Sequence, residues 1–339
     1  MTAPDVPRVG RRIRVGIRDV AAAAGVSITT VSDALNGKGR LPDTTRLHVR
    51  EVADRLGYRP SAAARTLRTG RSGLLGLTTT MRSTEPFALT EFAWFAELVR
   101  SATATALDLG YALVVLPASS PHDVWGNVAL DGTIVVDPAD DDPLVHELLR
   151  RGVPVVSGGH PGSTPVYGWV DNDHVAAVRS VLDHLADAGA ARIGLLAASD
   201  GPGAAKGVAG YRAWCADRGV SPITEEYEAR TPGAGRAAAT RLLDLTPDAV
   251  FGLHEGCAAE LLTAARAREL RVPDDLLLAC CGEGADPSVT SLSLQPALAG
   301  AWAVELLVSV IDDAGAGPLL PAQRTVPTRL SVRDSSTRR

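Results

Sequence analysis

Residues whose types could do chemistry are thinly spread in this 339-residue chain. The densest candidate is Gly201-Pro202-Gly203-Ala204-Ala205-Lys206-Gly207, a glycine-rich run carrying a lysine. Such a run could cradle a phosphate with its backbone N–H groups. Its spacing fits neither GxxxxGK[ST] nor GxGxxG, so it is expected to be a strand-to-helix turn lining a cleft. Asp140-Asp141-Asp142 suits an acidic helix amino terminus better than a metal site. The four cysteines stand at 215, 257, 280 and 281, form no CxxC and lack a common zinc spacing. They are expected to be buried reduced thiols. The seven histidines are scattered, and no HExxH or nucleophile elbow is present. The sequence therefore predicts no enzyme, no cofactor and no metal.

Charge is more informative. The chain has 34 Lys+Arg and 39 Asp+Glu, a formal −5. Residues 1–72 hold 14 of the basic and 6 of the acidic residues, a formal +8, which leaves −13 for the rest. A small basic segment on an acidic body suggests that the segment meets a polyanion; a solvated basic arm is the competing reading. No apolar run approaches the roughly 20 residues of a membrane span. The first 18 residues carry five Arg and no apolar h-region, unlike a secretory signal, so a cytoplasmic protein is expected.

The elements that must position these residues begin with three helical patterns. Ile17, Val20, Ala21 and Ala24 follow the i, i+3, i+4, i+7 rule, and Gly25 stops the helix. Ser27 is a good N-cap for a helix to about Asn36, burying Val31 and Leu35. A polar loop follows. Pro42 and Asp43 open a third helix, with Val49, Val52, Ala53 and Leu56 on one face and Gly57 closing it. Two short helices around a tight Gly turn, followed by a third, make a helix-turn-helix unit. The stretch 58–70 is Ala-rich around a helix of only about nine residues. That is below the roughly 12–15 needed in water, so it is expected to order only against a partner.

Here the sequence resembles the lactose-repressor family of bacterial transcription regulators. The residues that carry the resemblance are Arg18-Asp19-Val20-Ala21, Ala24-Gly25-Val26-Ser27, Thr30-Val31-Ser32, Ala34-Leu35-Asn36-Gly37, Thr45-Arg46, Leu56-Gly57-Tyr58-Arg59-Pro60 and residues 62–67. The resemblance implies a DNA-binding headpiece over 1–58, a hinge helix over 59–72 and a dimerising sensor core over 73–339. It places the helix 28–36 in the major groove, with Ser27, Ile28, Thr29, Ser32, Asp33 and Asn36 near bases or phosphates. Relatives often carry Arg at the position of Asp33. A carboxylate only accepts, so Asp33 either reads a cytosine N4 group or pairs with a neighbouring Arg. Ile28 could touch a thymine methyl. Arg40, Thr45 and Tyr58 would meet phosphates. Ser61, Ala64, Leu67 and Arg68 lie on the hinge, where Leu67 stands at the position of a leucine that enters the minor groove.

After Gly73, apolar runs alternate with helical patterns. Strands are expected over 74–79, 111–116, 132–136 and 154–156, with helices over 94–109 and 142–151. A second series has strands over 193–197, 249–253 and 276–280, with helices over 175–188, 207–218, 237–243 and 255–268. Such alternation predicts two doubly wound α/β lobes with a cleft at the carboxyl ends of their strands. The looser resemblance here is to a periplasmic-binding-protein-like core. It implies lobe 1 over about 73–160 and 292–320, and lobe 2 over about 168–288 and 325–335.

The pocket departs from the family pattern. Gly207 stands where an Arg is common, His254-Glu255 where an Asn-Asp pair is frequent, and Gly282 where an Asp is usual. The cleft is expected to draw on Trp94, Phe95, Trp125, His160, Trp169, Asp171, Asp200, Lys206, His254 and Glu283. For each of these the alternative is packing or a solvated rim. The expected protein is a homodimeric repressor on a pseudo-palindromic double-stranded operator, controlled by a carbohydrate or related small molecule and without a membrane partner. A regulator with a degenerate pocket, or a cytoplasmic solute-binding protein, is the alternative.

Overall fold

The computed structural model describes residues 15–37, 39–58, 70–79, 93–118, 124–199, 202–229, 231–282, 286–313 and 321–338. The chain forms two compact units, Met1–Ser72 and Gly73–Arg339.

The first unit is built from α1 (Ile17–Ala24), α2 (Ile28–Asn36) and α3 (Asp43–Arg55). Gly25 takes the left-handed conformation at φ 66°, which ends α1 and turns the chain into α2. Ser27 caps α2 by accepting from the Thr30 N–H at 3.0 Å. Val20, Val31 and Val49, one from each helix, are fully buried together. Arg46 of α3 donates to the Gly39 carbonyl at 2.7 Å and so holds the loop after α2.

The second unit contains two parallel-dominated sheets. Lobe 1 uses β1 (Leu74–Thr79), α4 (Ala93–Asp108), β2 (Ala112–Val115), α5 (Val124–Asn127), β3 (Gly132–Val136), α6 (Pro143–Arg150), β4 (Val155–Gly158) and β5 (Gly168–Asn172). Lobe 2 follows with α7 (His174–Asp187), β6 (Ile193–Ala198), α8 (Pro202–Arg218), β7 (Ile223–Tyr227), α9 (Ala234–Asp244), β8 (Ala249–Gly252), α10 (Cys257–Arg266), β9 (Leu277–Cys281) and β10 (Thr290–Ser293). The chain then returns to lobe 1 with α11 (Pro296–Asp313) and β11 (Ala322–Val326), and ends with β12 (Arg329–Ser331) on lobe 2. The strand orders are β11-β5-β4-β3-β1-β2 and β12-β10-β9-β8-β6-β7. All pairings are parallel except β10 with β12. Central strands such as β3 and β6 are buried along their whole length, as strands covered on both faces must be.

Several sequence expectations need correction. Residues 168–172 were expected to open lobe 2, yet β5 pairs with β4 and β11 in the lobe 1 sheet. The strand Gly-Trp-Val-Asp-Asn is too polar to announce itself as an apolar run. Its partner β11 reaches Val326, past the expected start of the last lobe 2 segment at 325. The crossings therefore fall just after Asn172, Ser293 and Val326. One side chain stitches all three, because the Asn172 amide donates to the Leu294 carbonyl at 3.2 Å and the Val326 carbonyl at 3.0 Å. The glycine-rich run is a helix from Pro202 onward, not a loop extending to Gly207. The acidic triplet agrees with its expected place at a helix amino terminus, since Asp142 caps α6 by accepting from the N–H groups of Leu144 and Val145.

The long α11 packs on α4, and Gly300 sets their separation. A Cβ there would lie 2.4 Å from the Leu98 carbonyl oxygen, so only glycine permits this approach.

Candidate nucleic-acid interface and effector cleft

In the first unit, Ile28 and Thr29 lie exposed at the amino end of α2, and Ser32 and Asp33 follow one turn on, half-buried. Ile28 is 45% exposed, an apolar side chain left without a core on the face where a base could meet it. Ser27 shares its hydroxyl between the cap and the Thr30 hydroxyl at 2.9 Å. The Asp33 carboxylate lies over Gly39, where a Cβ would approach Oδ2 to 2.9 Å. The neighbouring Arg46 bonds backbone instead, reaching the Asp33 carbonyl at 3.5 Å. Arg40 is exposed and Thr45 half-buried. Tyr58 is partly buried against the core of the three helices, so much of its ring serves packing. Asn36 closes α2. The hinge candidates Ser61, Ala64, Leu67 and Arg68 fall outside the described residues.

In the second unit, a cavity of about 890 Å³ lies between the lobes. That is the size of a small-ligand site. Lobe 1 supplies Trp94, Phe95, Glu97 and Leu98 from α4, and Asp137 from the end of β3. Lobe 2 supplies His174, Gly203, Gly207, Leu253, His254 and Glu255. The crossings contribute Asp171, Asn172, Gln295 and Arg329. The wall is mostly apolar, with a few convergent polar groups.

The polar groups cluster around Asp171. Its Oδ2 accepts from the Lys206 ammonium at 2.7 Å and from the His160 backbone N–H at 3.0 Å. Its Oδ1 accepts from the Asn172 backbone N–H at 2.8 Å and lies 3.1 Å from His174 Nε2. Burial alone would raise its pKa, but the hydrogen bonds and charges of His174 and Lys206 outweigh that and hold the carboxyl well below its usual range. Asp137 behaves oppositely. Burial and then the negative Asp171 push its carboxyl up to about 6, against the pull of Lys206 and His174. Asp137 also takes φ 48°, uncommon for a side-chain-bearing residue, and Gly159 makes room for it. A Cβ at Gly159 would sit 2.5 Å from Asp137 Oδ1.

The ten expected cleft residues divide. Trp94, Phe95, Asp171 and His254 are on the wall, and Phe95 is also core, only 3% exposed. The Trp94 indole N–H is buried without a hydrogen-bond partner among the described residues. Lys206 acts from behind, through Asp171. Three more residues are also not on the wall. Trp125 donates its indole N–H to the Pro117 carbonyl at 3.0 Å and packs on the core beneath α6. His160 and Trp169 meet edge to face at 5.4 Å. Asp200 and Glu283 fall outside the described residues. The sequence reading missed Asp137 and His174, and it set Glu255 at a pocket position without counting it among the cleft residues. Asp137 had a signal, since it directly follows the largely apolar strand β3 at its carboxyl end, where doubly wound sheets put their ligands.

The thiols offer little nucleophilic chemistry. Cys281 touches the cavity, but burial pushes it up to about 12, so it stays protonated near neutral pH. No helix among the described residues is long and apolar enough to cross a membrane.

A three-helix unit of helix-turn-helix form and a two-lobed unit with a cleft, carried in one chain, are the parts of a helix-turn-helix transcription regulator with a solute-binding type of core. Residues 16–61 match the model for bacterial regulatory proteins of the lacI family, and residues 182–336 match that for a periplasmic binding protein-like domain. The HTH-type transcriptional regulator CelR of Thermobifida fusca is 30% identical, covering 96% of this chain and 99% of that protein. Catabolite control protein A of Priestia megaterium is 29% identical, covering 78% and 81%. Among solved structures, a CelR–cellobiose complex superposes with TM-score 0.68 at 28% identity, covering 95% of this chain and all of that one. The lac repressor dimer bound to operator shares the fold with TM-score 0.81 at 22% identity, covering 96% and 100%. The chain belongs to the LacI family of bacterial regulatory proteins, and is a DNA-binding transcription regulator.

Proposed function

We propose that this regulator is a homodimeric repressor whose grip on a pseudo-palindromic operator is controlled by a small molecule bound between the lobes. The observation that carries this reading is the 890 Å³ cavity at the carboxyl ends of both sheets, with Asp137, Asp171 and Glu255 facing it. In this reading residues 1–58 hold the duplex, 59–72 form the hinge, and 73–339 sense and dimerise in the cytoplasm, without catalysis. Ile28, Thr29, Ser32, Asp33 and Asn36 would face base edges; Ser27, Arg40 and Thr45 would face phosphates. Leu67 would enter the minor groove. Two-fold protein symmetry matches two-fold operator symmetry. The ligand would act through different affinity for two lobe arrangements, which changes the hinge spacing.

CelR is seen with cellobiose, so neutral disaccharides are the first effectors to try. Thermal shifts of the full-length protein across sugars, sugar phosphates, nucleosides and amino acids test the cleft. A specific ligand at 100 times its Kd adds roughly 2.7 kcal/mol of stability, several degrees in Tm. The bound compound should then change operator affinity. A ligand that stabilises the protein without changing operator affinity would refute control through the cleft.

A further inference from the structure

Glu255 belongs to lobe 2, in the turn between β8 and α10, yet its carboxylate bonds lobe 1. Oε1 accepts from the Ala93 backbone N–H at 2.8 Å, and Oε2 from the Trp94 N–H at 3.3 Å. These are the first two residues of α4, a helix of 16 residues. The leading N–H groups of a helix have no partner inside it, and the helix dipole favours a negative charge there. The partners are 161 and 162 positions apart in sequence, so the bonds exist only while the lobes are together.

A second feature fits the first. Gly282, at the end of β9, takes φ +86°, and a Cβ there would lie 2.8 Å from the Glu255 Cβ. Any larger residue at 282 would push Glu255 away. The family pattern has a short carboxylate at 255 and a side chain at 282. Here the longer carboxylate and the missing side chain are complementary, and together they carry a charge across the cleft.

We propose that Glu255 is an interlobe latch that holds the cleft closed. Any effector then has to enter by opening the bonds to Ala93 and Trp94, or by supplying its own anion to those N–H groups. Only this consequence rests on the effector reading above; the latch itself does not.

The test uses the full-length protein without effector. Spin labels are attached at Asp108→Cys and Arg266→Cys, two exposed positions at the ends of α4 and α10, one per lobe. Labelled chain is diluted with unlabelled chain, and the interlobe distance is read by pulsed electron spin resonance. Wild type should give one short distance. Glu255→Ala should lengthen it by several ångström and broaden it. Glu255→Gln, nearly isosteric, should fall between and keeps the test open if the alanine variant folds poorly. Excess acetate, but not equal chloride, should return the alanine variant toward the wild-type distance by refilling the helix terminus. Identical distributions in all three proteins would overturn the latch. So would a lengthening that acetate leaves unchanged, because that would mark lost packing. Failure here leaves effector control standing, and failure to find an effector leaves the latch standing.

Discussion

Asp137→Asn gives a sharp prediction, because its sign depends on pH. The folded protein raises the Asp137 carboxyl to about 6, first by burial and then by the charge of Asp171. In the unfolded chain the group sits near 3.9. Its protonated form is thus favoured by folding. The stability it contributes is fully present below about pH 4 and is lost as pH rises through about 6. Above that the folded protein holds an unwelcome carboxylate beside another one. About two pKa units correspond to at most about 3 kcal/mol, and local relaxation reduces this to about 1–3 kcal/mol. An amide of the same shape carries no such cost. Asp137→Asn should therefore be more stable than wild type by about 1–3 kcal/mol at about pH 7.5 and nearly equal to it at about pH 3.5. Urea unfolding at the two pH values, compared at unchanged m, measures this. Equal stability at both pH values, or a less stable variant at pH 7.5, would refute the electrostatic account of the cleft.

Lys206→Met removes the ammonium from Asp171, a pair with side chains 33% and 18% exposed. This lies between surface and buried pairs, so a loss of about 1–2 kcal/mol is expected at pH 7. The depressed Asp171 carboxyl contributes stability above its unfolded pKa and loses it as pH falls further. The variant should therefore approach wild type below about pH 4 in the same urea assay. Gly300→Ala forces α4 and α11 apart, should cost about 1–3 kcal/mol, and is read by Tm. Leu67→Ala should weaken operator binding in fluorescence anisotropy while leaving the thermal shift by a cleft ligand unchanged. Unchanged operator affinity would remove Leu67 from the minor groove.

The headpiece was legible because every signal in it is local. Gly25, Ser27 and Asp43 mark helix ends through backbone geometry and capping; α1 ends, and α2 and α3 begin, where those residues say. The lobes were legible where strands are continuous apolar runs, as in β1, β3 and β6. The rest was hidden for physical reasons. The helix α11 is apolar on most faces, with eight buried residues among its 18, so it shows no clear 3.6 period. The strands β5 and β7 are short and polar, and only their pairing makes them strands. The Gly-Pro-Gly run looked like a loop, yet α8 already includes Pro202 and Gly203. The cleft was legible as a location but poorly as a set of side chains. Trp125 and Trp169 looked like ligand platforms and instead pack on Pro117 and His160. Glu255 and Asp137 gain their roles from residues far away in sequence.

The most direct measurement is selection of duplexes by the full-length protein from a random DNA library, followed by sequencing and a salt titration of the winner. The account predicts an enriched pseudo-palindrome of two half-sites, bound with an affinity that falls steeply as salt rises. No enrichment, or a lone half-site with no two-fold partner, would contradict it.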